Sequence, residues 1–210
     1  MAQAALKQVV RTAPDETVDW KRISYLLHLS RALDELEETR LIPEKKLHYQ
    51  FSARGHDMAQ IVLGSLLTDR NDAVCGYYRS RPLLLTLGVD PADVLGSAMA
   101  RAGGYSDGRD IGVTFNYPNL QGPPALPMSG GVGTQYTPAA GWAQAIRYYH
   151  DVLGKPGYER SIAVVCGGDG SVASNGFWSA LTLATTQNLP MLFYIEDNGY
   201  GISVPSGMQT

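Results

Sequence analysis

Residues Ser161 to Ser203 read SIAVVCGGDGSVASNGFWSALTLATTQNLPMLFYIEDNGYGIS. The apolar run Ile162–Cys166 is of strand length and stops at Gly167-Gly168-Asp169-Gly170. An amphipathic segment of helical length follows, and then a second apolar run, Met191–Ile195, that ends at Asp197-Asn198-Gly199-Tyr200. A strand, helix, strand order of this kind predicts an α/β fold with a parallel, doubly wound sheet. Asp169 and Asn198 then fall at neighbouring strand ends.

Ligands of open parallel sheets collect at the carboxyl ends of the strands, where the next helix offers unpaired backbone N–H groups to an anion. A diphosphate suits that place. Asp169 and the Asn198 side-chain amide, with a nearby backbone carbonyl, are hard oxygen donors of the type magnesium takes when it bridges protein to phosphate. Gly168 and Gly170 let the main chain approach the phosphates closely. The plainer alternative is a glycine turn in an ordinary βαβ unit.

The order strand, Gly-Asp-Gly, helix, strand, Asn, Tyr-Gly, with 29 positions from Asp169 to Asn198, resembles the thiamine-diphosphate motif. Three upstream segments extend the resemblance to the alpha subunits of thiamine-diphosphate-dependent 2-oxo acid dehydrogenases. SARGHDMAQIVLG at 52–64 is similar to the Gly-His-Glu segment of that family, with Asp57 in place of the usual Glu. Tyr78-Arg79 matches the pair that meets the diphosphate, and Arg suits the task because its planar fork donates paired hydrogen bonds to phosphate oxygens. Read alone, Arg79 and Arg81 are a solvated basic turn.

Ser129-Gly130-Gly131-Val132-Gly133-Thr134-Gln135 aligns with the segment under the cofactor's aminopyrimidine. Val132 falls where an apolar side chain wedges the cofactor into its bent shape, and Gly130 where many members carry Ser. The resemblance thus implies His56 as the catalytic residue. It implies Tyr78, Arg79, Gly130, Val132, Gly168, Asp169, Gly170, Ser171 and Asn198 as cofactor-binding residues, and Asp169, Asn198 and Tyr200 as metal residues. Glu196, just before the Asp-Asn pair, is Arg in some branched-chain-type members and Glu in pyruvate-type ones, so it does not decide the substrate.

The resemblance covers about Trp20 to Gln209. It implies a thiamine-diphosphate-binding fold, magnesium, decarboxylation of a 2-oxo acid and transfer of the acyl group to a lipoyl carrier on a partner acyltransferase. The carboxylate that protonates the aminopyrimidine comes from a beta part in that family, as a separate subunit or a fused domain. By that reading the chain alone is half of an active site, inactive without its partner. A thiamine-diphosphate enzyme of the transketolase class, or a non-catalytic binding or regulatory subunit that keeps the fold, are the alternatives.

Composition narrows the rest. The chain has 210 residues, a formal net charge of −3 and mixed acidic and basic positions. Nothing there calls for a nucleic-acid or membrane partner. The amino terminus lacks a secretory pattern and no apolar run is long enough to span a membrane, so a cytosolic protein is expected. Cys75 and Cys166, far apart and inside apolar runs, are expected to be buried thiols.

Residues 1–14 are expected to form an arm and 15–210 one domain, truncated at its carboxyl end because about three visible strands are few for this length. From Asp15 to about Thr39, Trp20, Ile23, Leu27, Leu33 and Leu36 predict the apolar face of a helix, with Asp34, Glu35, Glu37 and Glu38 on the solvent face. Further helices are expected at 57–67, from Pro82 to Gly88, from Asp90-Pro91 to about Ala102, and from Thr137-Pro138 with Trp142, Ala145, Ile146 and Tyr149 on one face. A short strand at 73–77 and a long irregular segment at 103–128 lie between them. Phe177 and Trp178 are expected to pack.

Overall fold

A computed structural model describes residues 18–110 and 114–209. The expected arm at 1–14 lies outside the described residues. Three strands form a parallel sheet in the order β1 (Ala73–Cys75), β2 (Ala163–Gly168), β3 (Met191–Glu196). Ala73 pairs with Ala163 and Ala163 with Met191, and the β2–β3 ladder runs on to Gly168 and Glu196. The strands follow one another in chain order, and helices cover both faces.

Side-chain alternation assigns the faces. Val74, Val164 and Cys166 pack with Leu67, Leu83 and Leu87 on one side, while Cys75 and Val165 pack with Tyr136, Ala139, Ala140, Phe177 and Ala180 on the other. The first face is covered by α3 (Arg81–Leu87) behind α2 (Asp57–Leu66), the second by α5 (Tyr136–Arg147) and α6 (Asn175–Thr186). A third cluster joins α1 (Trp20–Leu36) to α2, α3 and α4 (Pro91–Ala98) through Ile23, Leu26, Ile61, Leu84 and Val94.

The caps follow the sequence signals. Asp19 accepts from the Arg22 N–H at the start of α1, Asp90 from the Ala92 N–H at the start of α4, and Gly88 closes α3 at φ 102°. Within 103–128, residues 124–126 leave the loop to pair with β1, with the Val74 N–H donating to Pro124 and the Leu126 N–H to Val74. A small hairpin, β4 (Tyr200–Gly201) with β5 (Val204–Pro205), follows β3.

Four expectations change. In α1, Trp20 is exposed, whereas Asp34 is buried with Ile23, Leu26 and Leu33, as is Glu37 just past the end of the helix. The reason is an ion-pair partner from a distant segment, Arg81. In α5 the buried line is Ala139, Ala143 and Ile146, because small side chains let the helix sit close to the sheet, and Trp142 is half-buried, donating its indole N–H to the Asn71 carbonyl. Trp178 is exposed, edge-on to the buried Phe177. The helix after Gly-Asp-Gly does not begin there: a short 3-10 turn, Asp169–Ser171, intervenes, and Ser174 caps α6 by accepting from the Phe177 N–H.

Cys75 and Cys166 are buried and unpaired. Burial pushes the Cys75 thiol up to about 12 and raises that of Cys166 as well, so both stay protonated at neutral pH. No helix of the described residues is long and apolar enough to cross a membrane.

Candidate functional site

A cavity of about 640 Å³ opens at the carboxyl ends of the three strands. The segment after β1 brings Tyr77, Tyr78 and Arg79 to it, the end of β2 brings Gly168–Ser171, and the turn after β3 brings Asn198 and Tyr200. The loop before α5 adds Ser129–Val132 and Gln135. Every residue assigned from the sequence to cofactor or metal lines this one cavity, from Tyr78 to Tyr200 along the chain. His56 does not line it; it sits half-buried at the start of α2. A shallower depression of about 690 Å³ beside α4 brings Asp90 and Asp93 together without cationic side chains, and the Tyr105 N–H already occupies Asp93.

The two arginines of Tyr-Arg-Ser-Arg have opposite fates. Arg81 is buried, with Nη1 donating to Asp34 at 3.0 Å and Nη2 to both Glu37 oxygens at 2.7 Å. Arg79 forms no ion pair among the described residues. Its Nη1 donates to the Ser52 carbonyl at 2.8 Å, and its guanidinium carbon lies 5.7 Å and 5.5 Å from the ring centroids of Phe51 and Tyr78. Aromatic faces hold a cation without neutralising it. Arg79 therefore brings a positive charge, and unused N–H donors, to the cavity.

Asp169 supplies the opposite charge. It is 7% exposed, and its Oδ2 is buried with no hydrogen-bond partner among the described residues. A buried carboxylate oxygen in that condition carries a desolvation penalty of about 1–3 kcal/mol or more. A cation would relieve it. Among the described residues no group of three or more His, Cys, Asp or Glu side chains converges on a metal site, so a metal here would draw on Asp169, the Asn198 amide and a backbone carbonyl at Tyr200, with the rest from its ligand and water. These residues fit magnesium and a diphosphate.

The remaining assigned residues are built in differently. Ser171 is buried, and its hydroxyl is engaged by the Gly168 carbonyl at 2.6 Å and the Tyr136 hydroxyl at 2.5 Å. It shapes the Gly-Asp-Gly turn and leaves only its main chain for a ligand. Asn198 is exposed, and its Oδ1 accepts from the Tyr200 N–H at 3.0 Å, which leaves one lone pair. Val132 is 60% exposed and stands on a loop docked against α6. At Gly133 the loop takes φ 85°, where a Cβ would collide with Ser174.

Sequence reasoning missed three contributors. Gln135 lines the cavity and donates to the Cys166 carbonyl at 3.0 Å, tying the glycine loop to β2. Phe51 forms one wall of the Arg79 stack. Tyr77 lies beneath the cavity against Glu196, and burial, then that carboxyl, push its phenol up. A polar residue on the buried face of a helix, Gln60 among Ile61 and Gly64, was the available signal for this last group.

The chain belongs to the dehydrogenase E1 component family, whose model matches residues 29–210. Among curated proteins it is 27% identical over 199 residues to the pyruvate dehydrogenase E1 component subunit alpha of Mycoplasma genitalium, covering 95% of this chain and 49% of the relative. It is 29% identical over 203 residues to the 2-oxoisovalerate dehydrogenase subunit alpha of Bacillus subtilis, covering 96% and 57%. With the 3-methyl-2-oxobutanoate dehydrogenase subunit alpha of Mycobacterium tuberculosis it shares 27% over 200 residues, 95% and 48%. The chain spans about half the length of the curated relatives it matches.

Proposed function

We propose that this chain is the cofactor-holding, alpha-type part of a cytosolic 2-oxo acid dehydrogenase that binds thiamine diphosphate with magnesium on a doubly wound, thiamine-diphosphate-type fold. It would act with a beta-type part, decarboxylating a 2-oxo acid and passing the acyl group to a lipoyl-bearing acyltransferase. The family membership and the names of the relatives support this. The observation that carries it is the pairing, in one cavity, of an uncompensated Arg79 with the unpartnered carboxylate oxygen of Asp169.

When bound, thiamine diphosphate supplies a carbon nucleophile and an electron sink. The chain's own residues do the holding. Arg79 meets diphosphate oxygens with its free donors, beside Tyr78. Asp169, Asn198 and the Tyr200 carbonyl would hold magnesium, and Gly168, Gly170 and Ser171 would bring main chain to the diphosphate. Val132 and Gly130 support the ring end, and His56, outside the cavity lining, is kept as a residue that acts from the α2 terminus.

Calorimetric titration of the chain with thiamine diphosphate tests the reading. Binding is expected with magnesium and is expected to vanish in excess chelator. Equal affinity with and without the metal would rule it out. Addition of a beta-type partner is expected to be required for turnover of pyruvate or 2-oxoisovalerate.

A further inference from the structure

Glu196 ends β3, one position before Asp197-Asn198, and is 3% exposed with no ion-pair partner among the described residues. Both of its carboxyl oxygens are nevertheless hydrogen-bonded. The Tyr77 hydroxyl donates to one oxygen and Gln60 Nε2 to the other at 2.7 Å. The same Gln60 amide donates to the Arg79 carbonyl at 3.0 Å, and its Oε1 accepts from the Leu83 N–H at 3.3 Å. Tyr77 and Gln60 are themselves buried, at 6% and 0% exposure.

The topology makes this arrangement informative. β1 and β3 are not neighbours; β2 lies between them. Glu196 is in register with Gly168, and by alternation both face the side that carries Tyr77. The bridge from β3 to the segment after β1 therefore crosses the end of β2 where that strand has no side chain. A Cβ on Gly168 would lie 3.8 Å from the Tyr77 ring, so anything longer would enter the space the bridge uses.

We infer that Glu196 is a positioning residue: its buried carboxyl ties the Tyr77–Arg79 segment to the Asp197–Asn198 turn and so sets the separation between the anion-facing and metal-facing sides of the cavity. This role rests on the cofactor reading above. Glu196 itself touches neither phosphate nor metal. Its hydrogen bonds to Tyr77 and Gln60 form one unit, and Gln60 extends that unit to the Arg79 main chain, so loss of any member releases the same constraint.

The test is titration of the chain with thiamine diphosphate and magnesium, comparing wild type with Glu196→Ala, Glu196→Gln, Tyr77→Phe and the Tyr77→Phe/Glu196→Ala pair. Each variant's melting temperature is followed alongside. Glu196→Ala is expected to weaken binding by the folded chain at least tenfold and to raise the magnesium required, with partial rescue in Glu196→Gln. Tyr77→Phe is expected to lose part of the same affinity, and the pair no more than Glu196→Ala alone. If Glu196→Ala does not fold, Glu196→Gln and Tyr77→Phe carry the comparison.

Variants that melt earlier yet bind within twofold of wild type would overturn the role and leave the cofactor reading standing. An unmodified chain that binds no cofactor would bring down that reading instead. Amide exchange without ligand then judges the bridge by itself. It holds if the amides of Tyr77–Arg79 and of Asn198–Tyr200 loosen together in Glu196→Gln, and fails if only one end does.

Discussion

The segments that follow β1 and β3 reach the same cavity, but they are held in opposite ways. After β1, Tyr77 to Arg81 is buried or half-buried and fastened by residues from α1, α2 and β3, including Asp34, Glu37, Gln60 and Glu196. After β3, Asp197, Asn198 and Tyr200 are exposed and fastened mainly to one another, the Asp197 side chain accepting from the Gly199 N–H at 2.7 Å and Asn198 from Tyr200. Distant buried contacts fix the segment proposed to meet the anion, and local turns shape the segment proposed to meet the metal. Segments with few buried contacts open at lower free energy. The side proposed to hold the metal is thus the part a ligand would order.

The largest expected effect separates binding from folding. Asp169→Ala should abolish magnesium-dependent cofactor binding while leaving the free chain no less stable, since it removes a buried oxygen that has no partner among the described residues. Melting curves with and without magnesium and cofactor check both halves; an Asp169→Ala chain still stabilised by the pair would erase the distinction between the two sides.

Arg81→Met should do the reverse. It strands Glu37 in the interior, leaves Asp34 to Ser52 and Gln50, and should cost about 3–5 kcal/mol, measured by denaturant unfolding. Burial holds the Glu37 carboxyl above its ordinary range even though Arg81 pulls it down. The folded chain therefore binds that proton more tightly than the unfolded chain does, and the stability so gained is present at acid pH and lost as pH rises through the raised value. Removal of Arg81 lets the carboxyl rise further. The deficit of Arg81→Met should be larger at pH 8 than at pH 5.

Arg79→Lys is expected to weaken cofactor binding by about 1.5–3 kcal/mol, because the charge remains while the paired donor geometry is lost. Its unfolding free energy should move far less than that of Arg81→Met. A matching loss of stability would make the two arginines alike and dissolve the contrast between them. Smallest of all, Trp178→Ala should change stability by no more than about 0.5 kcal/mol, as an exposed side chain outside the cores, readable in the same unfolding curves.

The motifs that meet at strand ends were legible because each is local: Gly-Asp-Gly and Asp-Asn-Gly-Tyr stand at the ends of apolar runs, whereas Tyr-Arg was singled out only through the family resemblance. The α/β class and most helix starts were legible for the same reason, through Asp90-Pro91 or Pro82 with Gly88. What escaped depends on long-range partners. Helical periodicity placed Asp34 and Glu37 in solvent, and partners from other segments, Arg81 for both and Ser52 with Gln50 for Asp34, make their burial tolerable. Nothing near Glu196 shows that Tyr77 and Gln60 converge on it, and the spacing of Arg79 and Arg81 does not say which one is neutralised.

The sheet also has two unequal borders. Residues 124–126 close the outer side of β1, whereas β3 has a partner on one side only among the described residues, and its sequence MLFYIE is apolar, free of proline and glycine, and charged at its last position alone. Leu192 is 39% exposed along it. A border of that composition is a ready template for another strand, with none of the lysines, prolines or bulges that keep such borders from pairing with one another. In a concentrated solution of this polypeptide, growth of assemblies should begin at Met191–Glu196, and a lysine placed at Leu192 should delay it.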